Sequence, residues 1–204
     1  MIINLYDLKS GKLQDLLPEF YELKNSIENS ADYWHQQESV FDHTLSVMSA
    51  LEKIFLENKN LKSQFDQKIG SHTKKDLLEV AGLFHDIGKK EAMVKEGEFT
   101  RCPGHEKIGV EKAEKILSRF NLSKEESQRI LDIIANHSEF HYILKPDNQN
   151  FIKNLEVLKN KVANIYPELI ILSYADTVNS KFKSIDPKGY KYRIDFYQKE
   201  TKKL

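Results

Sequence analysis

Apolar residues recur at every third or fourth position along most of this chain, which is the spacing of one buried helix face. No segment shows the convincing alternation of apolar and polar residues that a half-buried strand requires. The pattern therefore predicts an all-α fold. The expected helices cover about residues 11–29, 40–57, 73–88, 104–120, 123–137, 151–162 and 167–180, with a last helix from residue 186 onward.

Three helix starts carry a hydroxyl residue followed three positions later by an acidic residue, which is the spacing of a capping box. These pairs are Ser39 with Asp42, Thr73 with Asp76, and Ser123 with Glu126. The helix that follows Thr73 is apolar nearly all round, so we expect it to be the central buried helix. Gly88 is its expected stop.

The composition limits the class of protein. A chain of 204 residues is the size of one domain, so we expect a single compact unit over residues 1–204. Basic and acidic residues each number 31, which gives no overall attraction to nucleic acid or to an anionic membrane. Cys102 is the sole cysteine, and no apolar run is long enough to span a bilayer. A cytoplasmic protein without a membrane partner is expected.

Titratable side chains interrupt several of the apolar helix faces, and desolvating an unpaired charge there is expensive. The stretch LFHDIGKK, residues 83–90, places a histidine directly beside an aspartate at the end of the apolar third helix. Four other segments each add one ligand-type residue. A shared metal site explains why separate helices carry such groups. The candidate ligands are His43, His85, Asp86, His105, His137 and Asp176.

Imidazoles and carboxylates without a thiolate suit divalent Fe, Mn, Co, Ni, Zn or Mg. Asp86 has two carboxylate oxygens and could reach two ions at once. Two ions about 3.5 to 4 Å apart can activate a water and clamp the oxygens of a displacement at phosphorus. The residues therefore favour a two-metal centre, with one ion as the open alternative.

The ordered pattern H…HD…D resembles the HD superfamily of metal-dependent phosphohydrolases, and HDIGK is similar to its HDIG branch. The segments HQQESVFDHTL, PGHEKIGVEKAEKIL, IIANH and YADT are similar to the HD domain of bacterial tRNA nucleotidyltransferases. The resemblance covers about residues 35–180. The glycine-serine and paired carboxylates of a nucleotidyltransferase head are absent, and Gln37 replaces a common glutamate, which weakens transfer of that enzyme's substrate.

The resemblance implies a role for each candidate. His43, His85, Asp86 and Asp176 would hold a first metal, and Asp86 would bridge to a second held by His105 and His137. Lys89 would place its ammonium on the substrate phosphate, although a solvated lysine is the alternative. The implied reaction is hydrolysis of a phosphate ester or anhydride, in a nucleotide or nucleotide-like substrate, by attack of a metal-activated hydroxide on phosphorus.

Two further hypotheses stay open. One is a mononuclear phosphatase in which His105 and His137 act as acid, base or phosphate contacts. The other is a non-hydrolytic module that binds a nucleotide or tRNA, for which the basic, aromatic C-terminal segment gives weak support as an RNA surface. The sequence leaves substrate, metal and oligomeric state undetermined.

Several other polar residues are assigned no firm place in the site. We interpret His35 as a loop residue, His72 as a surface residue, and His141 as a helix-end hydrogen-bonding residue that could alternatively be an extra metal ligand. Cys102 and His105 form a weak CxxH signal, and Arg101 is interpreted as a solvated loop arginine.

Overall fold

A computed structural model describes residues 5–31, 34–145 and 147–204. Helices dominate it, which confirms the all-α prediction. The helices are α1 (Leu5–Lys9), α2 (Pro18–Tyr21), α3 (Val40–Glu57), α4 (Lys62–Phe65), α5 (Lys74–Phe84), α6 (Lys89–Ala92), α7 (His105–Leu117), α8 (Lys124–Asn136), α9 (Glu139–Ile143), α10 (Phe151–Lys161), α11 (Tyr166–Val178), α12 (Phe182–Ile185) and α13 (Pro187–Thr201). Single 3₁₀ turns cover Glu22–Asn25 and Lys59–Leu61.

Helix α5 lies at the centre, as its apolar surface predicts, and packs against α3, α8 and α11. Helix α11 in turn packs between α3 and α13, and α7 packs along α8. One apolar core runs through these contacts. Within the described ranges, we find no helix with both the length and the apolar character needed to cross a membrane.

The predicted caps form at the starts of α3, α5 and α8. Thr73 and Asp76 make a complete capping box, as do Ser123 and Glu126. At α3 the Ser39 hydroxyl accepts from the backbone N–H of Asp42 at 3.0 Å. Each cap satisfies an N–H group that has no partner inside its helix.

The apolar pattern did not reveal three short antiparallel hairpins, which lie in connections between helices. They are β1 (Ile27–Asn29) with β2 (Gln36–Ser39), β3 (Lys68–Ile69) with β4 (His72–Thr73), and β5 (Val94–Glu96) with β6 (Phe99–Arg101). Strands of two to four residues are too short to show a reliable period of two, so the apolar pattern could not reveal them.

The predicted helix over residues 11–29 is wrong. Gly11 has a φ of 79°, outside the helical range, and Pro18 begins α2. A proline within a helix removes a hydrogen bond and clashes with the preceding turn, whereas the first turn tolerates it. The apolar spacing in this segment therefore comes from a helix, a 3₁₀ turn and a strand in succession.

Gly88 does not act as the expected helix stop. Helix α5 already ends at Phe84, and Gly88 has an ordinary φ of −85°. A Cβ atom at Gly88 would lie 2.3 Å from the carbonyl oxygen of His105 and 2.4 Å from the backbone nitrogen of Gly109. The glycine therefore lets the turn that follows α5 contact the backbone of α7 directly.

Candidate metal centre

Five elements bring the six predicted ligands together. His43 lies within α3, His85 directly follows α5, and Asp86 lies in the next turn. His105 begins α7, His137 directly follows α8, and Asp176 lies within α11. All of them are buried except His105, which is half-buried.

Asp86 lies between two pairs of histidines. Its Oδ2 atom is 3.1 Å from Nε2 of His85 and 3.5 Å from Nε2 of His43. Its Oδ1 atom is 3.4 Å from Nε2 of His105 and 3.5 Å from Nε2 of His137. Each carboxylate oxygen thus has its own pair of imidazole nitrogens.

Three of the histidines are oriented by the same kind of hydrogen bond. Nδ1 of His85 donates to the carbonyl of Gly82 at 2.8 Å, Nδ1 of His105 to that of Cys102 at 2.9 Å, and Nδ1 of His137 to that of Ile134 at 2.7 Å. A carbonyl oxygen can only accept, so Nδ1 carries the proton. In the neutral ring Nε2 then presents its lone pair towards Asp86, which is the tautomer a metal ligand needs.

The environment of these nitrogens fits a cation. Among the described residues, Nε2 of His43 and Nε2 of His85 are buried and make no hydrogen bond. Nε2 of His105 lies only 3.2 Å from Nε2 of His137. Two lone pairs at that separation repel unless a cation or proton lies between them. Two groups of side chains are each compact enough to hold an ion. One consists of Asp86, His43 and His85, and the other of Asp86, His105 and His137.

Asp176 completes the first group from the opposite side. Its Oδ1 atom is 3.0 Å from Nε2 of His43, and its Oδ2 atom accepts from Nε2 of His141 at 2.7 Å. The partner of His141 is therefore a carboxylate 35 residues away and not its own helix end. His141 orients Asp176 by occupying one of its two oxygens.

Burial opposes the ionisation of both carboxyls, yet their neighbours outweigh it. The His85 ring and the Lys89 ammonium, with the rings of His105 and His137 beside them, hold the pKa of Asp86 well below its usual value. The hydrogen bond from His141 and the adjacent His43 ring do the same for the pKa of Asp176. Burial lowers the pKa of His137 and favours its neutral ring. Burial also acts against a charged His85, but the neighbouring Asp86 outweighs it and raises the pKa of that ring. The two carboxylates and His137 thus favour the protonation states that bind a cation, and at His85 a cation would replace a proton.

Lys89 is buried beside this centre, so the alternative of a solvated lysine does not hold. Its ammonium lies 3.0 Å from Oδ2 of Asp86 and 2.9 Å from Oε2 of Glu28 on β1. It also donates to Nε2 of His35 at 3.2 Å. Burial disfavours the charged ammonium, but the two carboxylates outweigh it and raise the pKa of Lys89.

Sequence reasoning missed Glu28 and gave His35 too small a role. Glu28 is buried on β1, and the β1–β2 hairpin carries it to Lys89. The His35 ring packs edge-on against the His43 ring at 4.5 Å. The one available signal was the position of His35 shortly before His43, and Glu28 had none.

A pocket of about 570 Å³ opens onto the centre. Cys102 lines it and is held as a thiol, since burial and the charge of Glu28 raise its pKa to about 12. Arg101 lies at the mouth, largely exposed, in an ion pair with Glu96 at 3.1 Å. His72 lies elsewhere, half-buried, with Nδ1 2.7 Å from Oε1 of Glu126.

Comparison with known proteins places this arrangement in a family. The family model described as "HD domain" matches residues 40–180. The bifunctional uridylyltransferase/uridylyl-removing enzyme of Hydrogenovibrio crunogenus is 25% identical over 134 residues, which are 65% of this chain and 14% of that enzyme. The enzyme with the same name from Pseudomonas putida is 30% identical over 128 residues, 62% of this chain and 13% of its own length.

The chain thus spans only about one seventh of these relatives. The family match itself covers well over half of the chain and includes all six candidate ligands. The chain belongs to the HD domain family.

Proposed function

We propose that this chain is a metal-dependent phosphohydrolase that acts on a phosphate ester or anhydride of a nucleotide-like substrate. The proposal depends on one observation: each of the two carboxylate oxygens of Asp86 lies beside its own pair of histidines. A carboxylate used in this way suits two divalent ions better than one. We assign His43, His85, Asp86 and Asp176 to the first ion, and Asp86, His105 and His137 to the second.

Divalent ions at these positions would neutralise phosphate charge and activate water for attack at phosphorus. The chain's own residues prepare the site for this chemistry. The Nδ1 hydrogen bonds fix the imidazole rings, and His141 holds Asp176 in place. The ammonium of Lys89 lines the pocket and can stabilise negative charge that develops on the phosphate.

The proposed substrate class has two supports. A pocket of about 570 Å³ lies within the range of typical small-ligand sites. The names of both relatives include a uridylyl-removing activity, which concerns a nucleotide group. We therefore expect a nucleotide-like ester to fit this pocket.

The deciding experiment replaces Asp86 with alanine. We expect Asp86→Ala to lose both bound metal, counted by elemental analysis, and hydrolysis in a panel of phosphate esters with Mn, Fe, Co, Ni, Zn or Mg. Asp195→Ala, in an exposed ion pair on α13, is the control and should retain both. Full hydrolysis by a folded Asp86→Ala protein would eliminate the proposal.

The same measurement counts the ions. Two ions per chain at saturation support the dinuclear centre, and one supports the mononuclear alternative, in which His105 and His137 contact substrate. Tight nucleotide binding without phosphate release under any of these metals would instead favour a binding module.

A further inference from the structure

A second cavity of about 440 Å³ adjoins the metal pocket. It is a groove between the first turns of α7 and the segment that joins α8 to α9. Gly104, Ser138 and Tyr142 line both cavities. The groove is therefore a continuation of the pocket and not an independent surface depression.

The groove opens beside the second pair of histidines. Gly104 directly precedes His105, and Ser138 directly follows His137. The Ser138 hydroxyl lies 3.2 Å from Nε2 of His137. A phosphate held near this pair would therefore direct one of its substituents into the groove.

The lining of the groove discriminates between kinds of substituent. Its charges nearly cancel, because Lys107 and Glu106 both line it, and Glu139 is paired with Lys161 at 2.6 Å. Val110 and Ala135 supply apolar surface. A carboxylate here repels a second phosphate, whereas an uncharged and partly apolar group can bury its surface at little electrostatic cost.

We propose that this groove is the subsite for the alcohol part of a phosphodiester, which would make the chain a phosphodiesterase with an uncharged, partly apolar leaving group. The inference rests on the proposed function. The reaction breaks the phosphorus–oxygen bond to that alcohol. Water supplies hydroxide to phosphorus and a proton to the departing oxygen, so the products are a phosphate monoester and the free alcohol.

The test compares two diesters that differ in the departing alcohol. Thymidine 5′-(p-nitrophenyl phosphate) releases p-nitrophenol, which would fill the groove, whereas thymidine 5′-(methyl phosphate) releases methanol, which would leave most of the groove empty. Ala135→Trp places an indole in the groove from an exposed position of α8. We expect the ratio of kcat/KM for the p-nitrophenyl diester to that for the methyl diester to fall by about tenfold or more. Lys107→Trp blocks the groove from the α7 side and should have the same effect.

Gln128→Trp is the matched control. It is exposed on the same helix, two turns before Ala135 and about 10 Å away, where it lines a different cavity. It should leave the ratio unchanged. Circular dichroism of each variant verifies that the helices form. An unchanged ratio in both folded blocking variants would overturn the inference.

The two proposals fail in different ways. If the wild type hydrolyses neither ester with any metal, the proposed function is wrong, and calorimetry with the same intact esters then measures binding directly. Loss of p-nitrophenyl diester binding in Ala135→Trp would retain the groove as a subsite. Equal binding of that diester by Ala135→Trp and the wild type would reject it.

Discussion

At the scale of single residues, helix ends orient the metal ligands. His85 and His137 each directly follow a helix and donate from Nδ1 to a carbonyl three residues earlier. The last carbonyl groups of a helix have no hydrogen-bond partner within that helix. This bond gives such a carbonyl a partner, and it also fixes the orientation of the histidine ring. A ligand at such a position needs no second side chain to set its tautomer.

Replacement of His141 tests whether this residue orients Asp176 or binds the metal itself. Because its Nε2 donates to Asp176 at 2.7 Å, His141→Ala should weaken metal binding by about tenfold. The number of ions bound at saturating metal should stay the same. Chelator competition measures the affinity and elemental analysis the count. A lower count at saturation would instead identify His141 as a ligand.

Glu28 offers a second test, through Lys89. In Glu28→Gln, Asp86 remains the one carboxylate partner of the Lys89 ammonium within the described part of the chain, so the ammonium should compete more strongly with metal for Asp86. We expect metal affinity to fall by about tenfold, measured by chelator competition. Glu96→Gln, which alters an exposed ion pair at the pocket mouth, is the control. Equal affinities in the two variants would contradict this role for Glu28.

Four of the six grouped residues could be predicted because each interrupts an apolar face, which is a local signal: His43, His85, His137 and Asp176. Glu28 and His35 carry no such signal, since their positions depend on the pairing of a short hairpin. For His141 the sequence offered a helix-end hydrogen bond or a place as an extra metal ligand, whereas its hydrogen-bond partner lies on α11. Contacts between distant segments are what single-sequence patterns miss.

At the scale of elements, Gly88 sets the approach of the turn after α5 to α7. A methyl group there would lie 2.3 Å from the carbonyl oxygen of His105, so Gly88→Ala should destabilise the fold by about 1–3 kcal/mol. Gly109→Ala is the facing control, because its Cβ would meet Ile134 at an ordinary 3.5 Å. Urea unfolding should show no comparable loss in Gly109→Ala. Similar losses in both variants would argue against the specific contact at Gly88.

The β3–β4 hairpin is joined to α8 through Glu126. This carboxylate accepts from the backbone N–H groups of Ser71 and His72 and from that of Ser123. Burial raises its pKa, but these hydrogen bonds outweigh burial and lower the pKa of Glu126 from 4.5 to about 2.

A lowered pKa stabilises the fold above the unfolded value and loses that effect as pH falls towards the folded value. The stability difference between wild type and Glu126→Gln should therefore be full near neutral pH. It should shrink below about pH 4.5. Urea unfolding at several pH values measures this difference, and a difference that is constant down to pH 3 would contradict the assignment.

Helices with both an apolar face and a cap were predictable, and α3 begins and ends where the spacing placed it. Segments whose structure depends on contacts with distant parts of the chain were not predictable. The hairpins form in linkers with no strand signal, and Pro18 overrides the apolar spacing around it. Local propensity determines the long helices, and tertiary contacts determine the connections.

At the scale of the whole molecule, metal and folding should be coupled. Asp86 and Asp176 are buried ions, and a bound cation compensates for their desolvation only in the folded chain. Metal at about 100 times its Kd should add about 2.7 kcal/mol to the free energy of unfolding. Thermal unfolding with and without EDTA measures the effect. Asp86→Ala should show no such shift, and an equal shift in that variant would indicate metal bound elsewhere.

The β1–β2 hairpin and its connecting loop supply a wall of the pocket from outside the family match. Glu28, Ser30 and Trp34 line the pocket, yet all three precede residue 40, where the family match begins. Part of the pocket wall can therefore be exchanged without altering the six candidate ligands or Glu28. Exchange of residues 30–34 between two HD proteins should transfer a preference for one substrate over another while metal affinity stays the same.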